Sequence, residues 1–405
     1  MKISTKARNA IFLGTLCSLS YFAVYIARNI LGAVTPKMTS GDFTLEYIGN
    51  LSAVYLLAYA FGQLINGVIG DWIKAKYMIS FGLLAAGVTS IIFVQLSEFR
   101  TLAMIAYACT GFSLSMIYGP MTKMVAESTD LIYATRCSLG YTFASFFGSP
   151  AAGLLATFLS WQATFTASNI TLIVMAVTCF VCFTIFEKKG IVKQSSPTKS
   201  GESAPKKDYK GLFKRSIIKF ALISFITGII RTSFVSFLTT YFADSFEYSE
   251  DQTAFIFSIA TLIISFTSFI AIFIYEKLGR NLHLSPLIFF GGAAVFFVAT
   301  YFVRNPITNI VLLVIAIMAS NAAATILWSV YCPSLRDTGL VSSITGFLDF
   351  VSYCAAALAS LLIPHIVAAV SWQNLLLILA ALMVIGVIIC VPYFVTKKKT
   401  ADAER

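Results

Sequence analysis

Tyr21, Tyr25 and Arg28 stand at i, i+4 and i+7 in the apolar run from Ala10 to Val34. A helix over that run carries two phenols and a guanidinium on one face. A cation inside a membrane-crossing helix costs about 3 kcal/mol on insertion scales, so it is kept where it faces a protein interior or a watery cavity and has a use there. A second such cation, Arg231, follows at an offset of 203 residues in the apolar run 217–241. Two guanidiniums near one another grip a phosphate dianion through bidentate, charge-assisted hydrogen bonds. The third group is Asp349, in Gly346-Phe-Leu-Asp349-Phe-Val-Ser-Tyr353. A carboxylate in a span can counter an arginine, take up a proton or bind an amine. The plainer alternatives are structural: an arginine neutralised by a carbonyl or carboxylate, and Asp349 bridged to Arg231.

The elements that must position these groups follow from composition. Hydrophobic residues are 58% of the 405 and charged residues 12%, about half the charge of a soluble chain. Apolar runs of about 20 residues span hydrocarbon, and twelve are read here: 10–34, 47–69, 78–96, 102–122, 135–158, 163–186, 217–241, 253–275, 284–302, 309–330, 340–369 and 374–395. No small-residue cleavage pattern follows the first run, which predicts a retained first helix. With the N-terminus inside, 24 of the 29 basic residues fall in inside segments, three (Lys37, Arg100, Arg304) fall outside, and Arg28 and Arg231 lie within spans. That bias predicts both termini in the cytoplasm. The net charge of +11 is therefore topological rather than a nucleic-acid surface. The Cys179–Cys182 pair sits in a Phe/Val-rich run and reads as core cysteine. His365 is expected to be packed and neutral, and His283 solvated in a loop.

Residues 187–216 form a basic, Ser/Pro/Lys-rich linker that cannot bury enough apolar surface to fold. It separates a bundle over 1–186 from one over 217–395, with a cytoplasmic tail at 396–405. The halves look related. Ser160-Trp161-Gln162 precedes the sixth span and Ser371-Trp372-Gln373 the twelfth, an offset of 211; Asp71 and Glu276, after the second and eighth spans, are 205 apart. Nearly constant offsets support a duplication. The expected fold is all-α: twelve transmembrane helices in two pseudo-symmetric six-helix bundles, an architecture that binds substrate at the repeat interface.

Gly67-x-x-x-Asp71 followed by Lys74 and Lys76 resembles the loop signature of the major facilitator superfamily, although Trp72 stands where the family has a basic residue. A glycine there lets helices approach, and Gly67, Asp71, Lys74 and Glu276 are expected to form a conformational latch. Within that superfamily the chain resembles the organophosphate:phosphate antiporters. Tyr21, Tyr25, Arg28 and Pro36 reproduce the spacing of that family's first span, and Arg231 with Tyr241 that of its seventh. Ala58-Tyr59-Ala60-Phe61-Gly62-Gln63, Pro120 with Lys123, and Gly346 with Tyr353 are also similar. The resemblance implies a substrate site of Arg28, Arg231, Tyr21, Tyr25, Gln63, Tyr141, Ser145 and Tyr241, to which Asp349 is added as an intramembrane carboxylate at a position where the family commonly has a small residue. It departs at Gln63, where glycerol-3-phosphate-type members carry lysine, and at Ser145, where they carry histidine, so the usual substrate does not carry over.

The expected function is secondary active transport of a phosphorylated or other anionic metabolite, in exchange for inorganic phosphate, by a monomer in the plasma (inner) membrane. No cofactor, metal or nucleic acid is expected, and no nucleophile–base set suggests an enzyme. Two alternatives stand beside it. One is a proton-coupled exporter of drugs or amphipathic molecules, suggested by Gly140, Gly148, Pro150 and Gly153 in the fifth span together with Asp349. The other is a non-transporting sugar-phosphate sensor.

Overall fold

The computed structural model describes residues 4–70, 73–192, 216–335 and 341–403, and these are helical throughout apart from short connections. The first half comprises α1 (Thr5–Thr39), α2 (Leu45–Ile69), α3 (Ala75–Gln95), α4 (Arg100–Leu114), α5 (Tyr118–Ser128), α6 (Leu131–Phe158) and α7 (Trp161–Lys188). The second comprises α8 (Ile217–Gly228), a π-helical turn Ile229–Phe234, α9 (Leu238–Phe246), α10 (Glu250–Ser265), α11 (Thr267–Lys277), α12 (Leu284–Phe302), α13 (Pro306–Ile326), a second π turn Leu327–Tyr331, the short α14 (Cys332–Ser334) and α15 (Val341–Ala403). Among the described residues, ten stretches are long and apolar enough to cross a membrane. Adding α6, and dividing α15 at Ser371, where φ turns to +76°, gives the twelve expected.

Helices suit this setting because each satisfies its backbone amides within its own segment. Their hydroxyls do the same. Ser18, Ser20 and Thr35 each donate to the carbonyl four residues earlier in α1, so these three hydroxyls are satisfied within their own helix. Large apolar side chains face outward, as at Phe158, Phe302 and Ile307, a cost in water and none in lipid.

The chain divides into two compact units. The first contains α1–α7 together with Leu238–Ala243 and Glu247–Leu262, so the early part of the second half packs with the first six spans rather than with its own sequence neighbours. Four contacts bind those segments there. Thr239 Oγ1 donates to the Gly32 carbonyl at 2.5 Å, and Ser258 Oγ to that of Pro150 at 2.6 Å. Lys37 pairs with Asp251 at 2.6 Å while also donating to the Leu159 carbonyl. A Cβ built on Gly153 would lie 2.9 Å from the Ala254 carbonyl oxygen, so the residue has to be glycine for α6 and α10 to meet.

Lys76 at the start of α3 and Glu187 at the end of α7 form an ion pair whose side chains are only 10% and 11% exposed. Breaking one side of a buried pair costs about 3–5 kcal/mol, whereas apolar replacement of both is often neutral. Glu187→Gln should therefore lower the thermal midpoint of the purified protein clearly, and Lys76→Met with Glu187→Leu should recover most of the loss. Equal midpoints for wild type and Glu187→Gln would remove the pair from the account.

In the second unit, α8 runs alongside α15 in register. Ser224 Oγ donates to the Leu348 carbonyl at 2.6 Å, and Ser233 Oγ meets Ser360 Oγ at 2.8 Å. Trp372 Nε1 donates to Asp244 at 2.7 Å. Its counterpart Trp161, which opens α7, packs edge-on against Phe43 and Phe165. Two histidines differ from expectation. His283 is half-buried, its Nδ1 2.9 Å from the Nζ of the fully buried Lys219, because a lysine turned inward requires a polar neighbour. His365 is exposed rather than packed: it lies on an outward face of α15.

Candidate functional site

Arg28 sits in a box of tyrosines. Its guanidinium carbon lies 4.9 Å from the centroid of the Tyr25 ring and 4.7 Å from that of Tyr59, and Nη1 donates to the Tyr59 hydroxyl at 3.4 Å. Tyr25 is three residues back on α1, so helical geometry alone supplies the first ring. Tyr59 arrives from α2. A planar guanidinium between aromatic faces is favoured electrostatically, more so when partly desolvated, and the side chain is half-buried.

Behind Arg28 the cluster continues. The Tyr21 ring centroid is 4.9 Å from Tyr25, 5.4 Å from Tyr118 and 5.9 Å from Tyr141. Tyr55 continues from Tyr59 at 6.4 Å and reaches Tyr107 at 5.0 Å. Five helices, α1, α2, α4, α5 and α6, thus hold one aromatic wall around a single cation. Gln63 is half-buried on α2, one turn beyond Tyr59. Tyr241 is buried within the segment Leu238–Ala243 that belongs to this unit. Ser145 lies one turn beyond Tyr141 on α6, outside the described side chains.

Gly148 sets the position of Tyr25. A Cβ built on Gly148 would overlap the Tyr25 side chain and stand 2.8 Å from its carbonyl carbon, so α1 and α6 touch backbone to backbone beside the arginine. Gly148→Val should displace Tyr25 and weaken ligand binding at least tenfold, a shift of about 1.4 kcal/mol. Unchanged binding in a folded Gly148→Val protein would show that Tyr25 does not orient Arg28.

Arg231 lies in the second unit, half-buried on the π turn Ile229–Phe234. Such turns are rare and cluster at functional sites. Among the described residues Arg231 makes no ion pair, and in particular none with Asp349. The α8–α15 register explains this: with Ser224 opposite Leu348 and Ser233 opposite Ser360, Asp349 falls about six residues below Arg231, or about 9 Å of helix rise. Asp349 is half-exposed and Tyr353, one turn on, is buried.

The expected latch comprises Gly67, Asp71, Lys74 and Glu276. Asp71 lies outside the described residues. Lys74 is exposed at the N-cap of α3, and Glu276 pairs with Arg280 on its own helix end at 3.1 Å. Among the described residues a Cβ built on Gly67 meets nothing within 4 Å, so none of them explains the glycine by close helix approach. At this end of α2 the observed tie is Lys123, which donates to the Gly70 carbonyl at 3.2 Å.

Comparison with known proteins follows the same outline. The family model for the Major Facilitator Superfamily matches residues 17–355. The chain belongs to the Major Facilitator Superfamily. Curated relatives match over short stretches: 32% identity over 76 residues with the membrane sensor protein UhpC of Salmonella typhimurium, covering 18% of this chain and 17% of that one; and 35% over 52 residues with sugar phosphate exchanger 3 of Xenopus laevis, covering 13% and 10%. The chain thus matches less than a fifth of the length of either relative. In fold it is similar to a bacterial homologue of the human lysosomal transporter Spinster (TM-score 0.75, 13% identity, 98% of both chains). It is also similar to the nucleoside transporter NupG (TM-score 0.71, 17% identity, 95% of this chain and 99% of that one).

Tyr59 and Tyr118 were not among the residues expected at the site. The signal for Tyr59 is its spacing: Tyr55, Tyr59 and Gln63 repeat at four residues, as Tyr21 and Tyr25 do. Tyr118 has only the helix break at Ser115–Ile117 to mark it.

Proposed function

We propose that this facilitator moves a phosphorylated or similar anionic metabolite across the plasma membrane in exchange for inorganic phosphate, as a monomer with both termini in the cytoplasm. The observation that carries the reading is the Arg28 guanidinium, half-buried in a span and held between the rings of Tyr25 and Tyr59. The tyrosines fix the plane of the fork and offer hydroxyl donors, leaving a preorganised anion site rather than a flexible surface cation. Arg231, in the corresponding span of the other half, supplies the second charge. Anion binding offsets the repulsion between two guanidiniums; an empty site retains it, and this favours exchange over net leak. The short stretch similar to a sugar phosphate exchanger supports the substrate class.

Asp349 tunes the cargo: a carboxylate about 9 Å along the helix from Arg231 suits a positively charged group on a zwitterionic phospho-compound. Asp349→Asn should lose exchange of an aminated organophosphate at least tenfold and spare that of phosphate. Equal loss of both would remove this role.

A second reading is favoured by the stretch similar to a membrane sensor protein: ligand binding without flux. Efflux of labelled phosphate from proteoliposomes, screened against external organophosphates with a protonophore present, separates the readings. Stimulated efflux supports exchange. Binding without efflux supports the sensor, and transport only under a proton gradient supports a proton-coupled exporter.

A further inference from the structure

The seam where α1 and α6 lie side by side opens outward as an apolar groove of about 640 Å³. Its floor is formed by small residues that let the helices approach closely: a Cβ on Gly14 would stand 2.8 Å from the Cys137 sulfur, and one on Gly140 3.0 Å from Ser18 Oγ. Its walls are Ile11, Leu19, Phe22 and Phe147, of which Ile11 and Leu19 are 54% and 52% exposed. From Ala7 to Phe22 the groove follows about 22 Å of helix. A second apolar recess of about 530 Å³ begins at the same Phe22 and continues toward Phe158. The seam is thus a long trough, open sideways and without a charged group along its bore.

Charge lines the trough at the first groove's mouth; near its far end Lys37, against the Leu159 carbonyl, is paired with Asp251. Arg136 lines the mouth beside Tyr133, is exposed, and stacks over that ring at 5.8 Å. It makes no ion pair among the described residues. The nearby carboxylate of Asp130 is paired with Lys6 at 3.1 Å, and Arg8 adds a further exposed cation. An apolar bore with a guanidinium at its mouth has the polarity of one lipid molecule. Basic pockets between membrane helices bind anionic headgroups.

We propose that the α1–α6 groove holds one acyl chain of an anionic phospholipid, with its phosphate met by Arg136. The occupant is a lipid rather than a transported solute because the groove opens on the flank and its bore is mostly apolar: the polar side chains along it are Thr15 and Ser18, and Ser18 donates its hydroxyl to the Gly14 carbonyl of its own helix. The lipid would reinforce the α1–α6 seam on which Tyr25 and Gly148 meet.

Native mass spectrometry of the full-length protein, titrated in detergent with dioleoylphosphatidylglycerol or dioleoylphosphatidylcholine, tests this directly. The wild type should retain one phosphatidylglycerol with about fivefold preference. Arg136→Gln should abolish the preference, and Ala144→Phe, which fills the bore, should lose the adduct with either lipid. Arg100→Gln, at the other end of the bundle, should behave as wild type. The proposal is overturned if the wild type shows no preference, if Ala144→Phe retains the adduct, or if Arg100→Gln loses the preference as fully as Arg136→Gln. The readout is independent of transport, so it stands or falls apart from the exchange reading.

Discussion

Arg28→Ala is expected to reduce exchange by at least a hundredfold with the protein still folded. The side chain is half-buried and its neighbours at the tip include the rings of Tyr25 and Tyr59 and the Tyr59 hydroxyl, neutral groups that also pack against Tyr21 and Tyr55 and keep those contacts when the guanidinium is removed. The loss is a binding loss: a bidentate, charge-assisted contact to phosphate in a partly desolvated site is worth about 3 kcal/mol, which corresponds to that factor. Arg28→Lys keeps the charge but loses the planar fork and the stacking between two rings, and should recover only a minor part. Uptake assays in proteoliposomes at several substrate concentrations check both. A proton-coupled exporter would tolerate Arg28→Ala, so near-normal transport by that variant would favour it.

Arg231→Ala is expected to match Arg28→Ala, and the double variant to be little worse than either single one. Two cations that hold one anion act as a unit, and removing either disables it, so their effects do not add. Independent sites would instead multiply their losses, to about ten-thousandfold. The comparison of singles with the double variant is informative because Arg231 has no ion pair among the described residues and sits on a π turn rather than in a structural bridge to Asp349. If Arg231→Ala mainly lowered the thermal midpoint and left exchange intact, its role would be structural.

Much of this was legible in the residues. The membrane spans follow from apolar runs, and their number survives although α15 crosses Ser371 without a loop. The Tyr21–Tyr25–Arg28 face was readable because one helix's own periodicity brings those groups together. What could not be read depends on packing between distant segments. Tyr59 reaches Arg28 from α2, and Tyr118 reaches Tyr21 from α5; the four-residue spacing of Tyr55, Tyr59 and Gln63 marks a face of α2 but not the helix it meets. The same holds for Leu238–Ala243 and Glu247–Leu262, which lie after the linker in sequence yet pack with the first six spans through Thr239, Asp251 and Ser258. Gly148 and Gly153 fit an exporter pattern and close packing alike in sequence, and both do pack closely: one touches Tyr25, the other Ala254. Gly67 is the reverse case, where a motif glycine has no close neighbour among the described residues to explain it.

The central claim is that Arg28 and Arg231 serve a phosphate-bearing anion exchanged across the membrane. Its most direct test is self-exchange of labelled phosphate in proteoliposomes made with or without internal phosphate. The account predicts saturable uptake into phosphate-loaded vesicles, almost none into empty ones, and loss of that difference in Arg28→Ala. Equal uptake into both vesicle types, or uptake that depends on an imposed proton gradient alone, would contradict it.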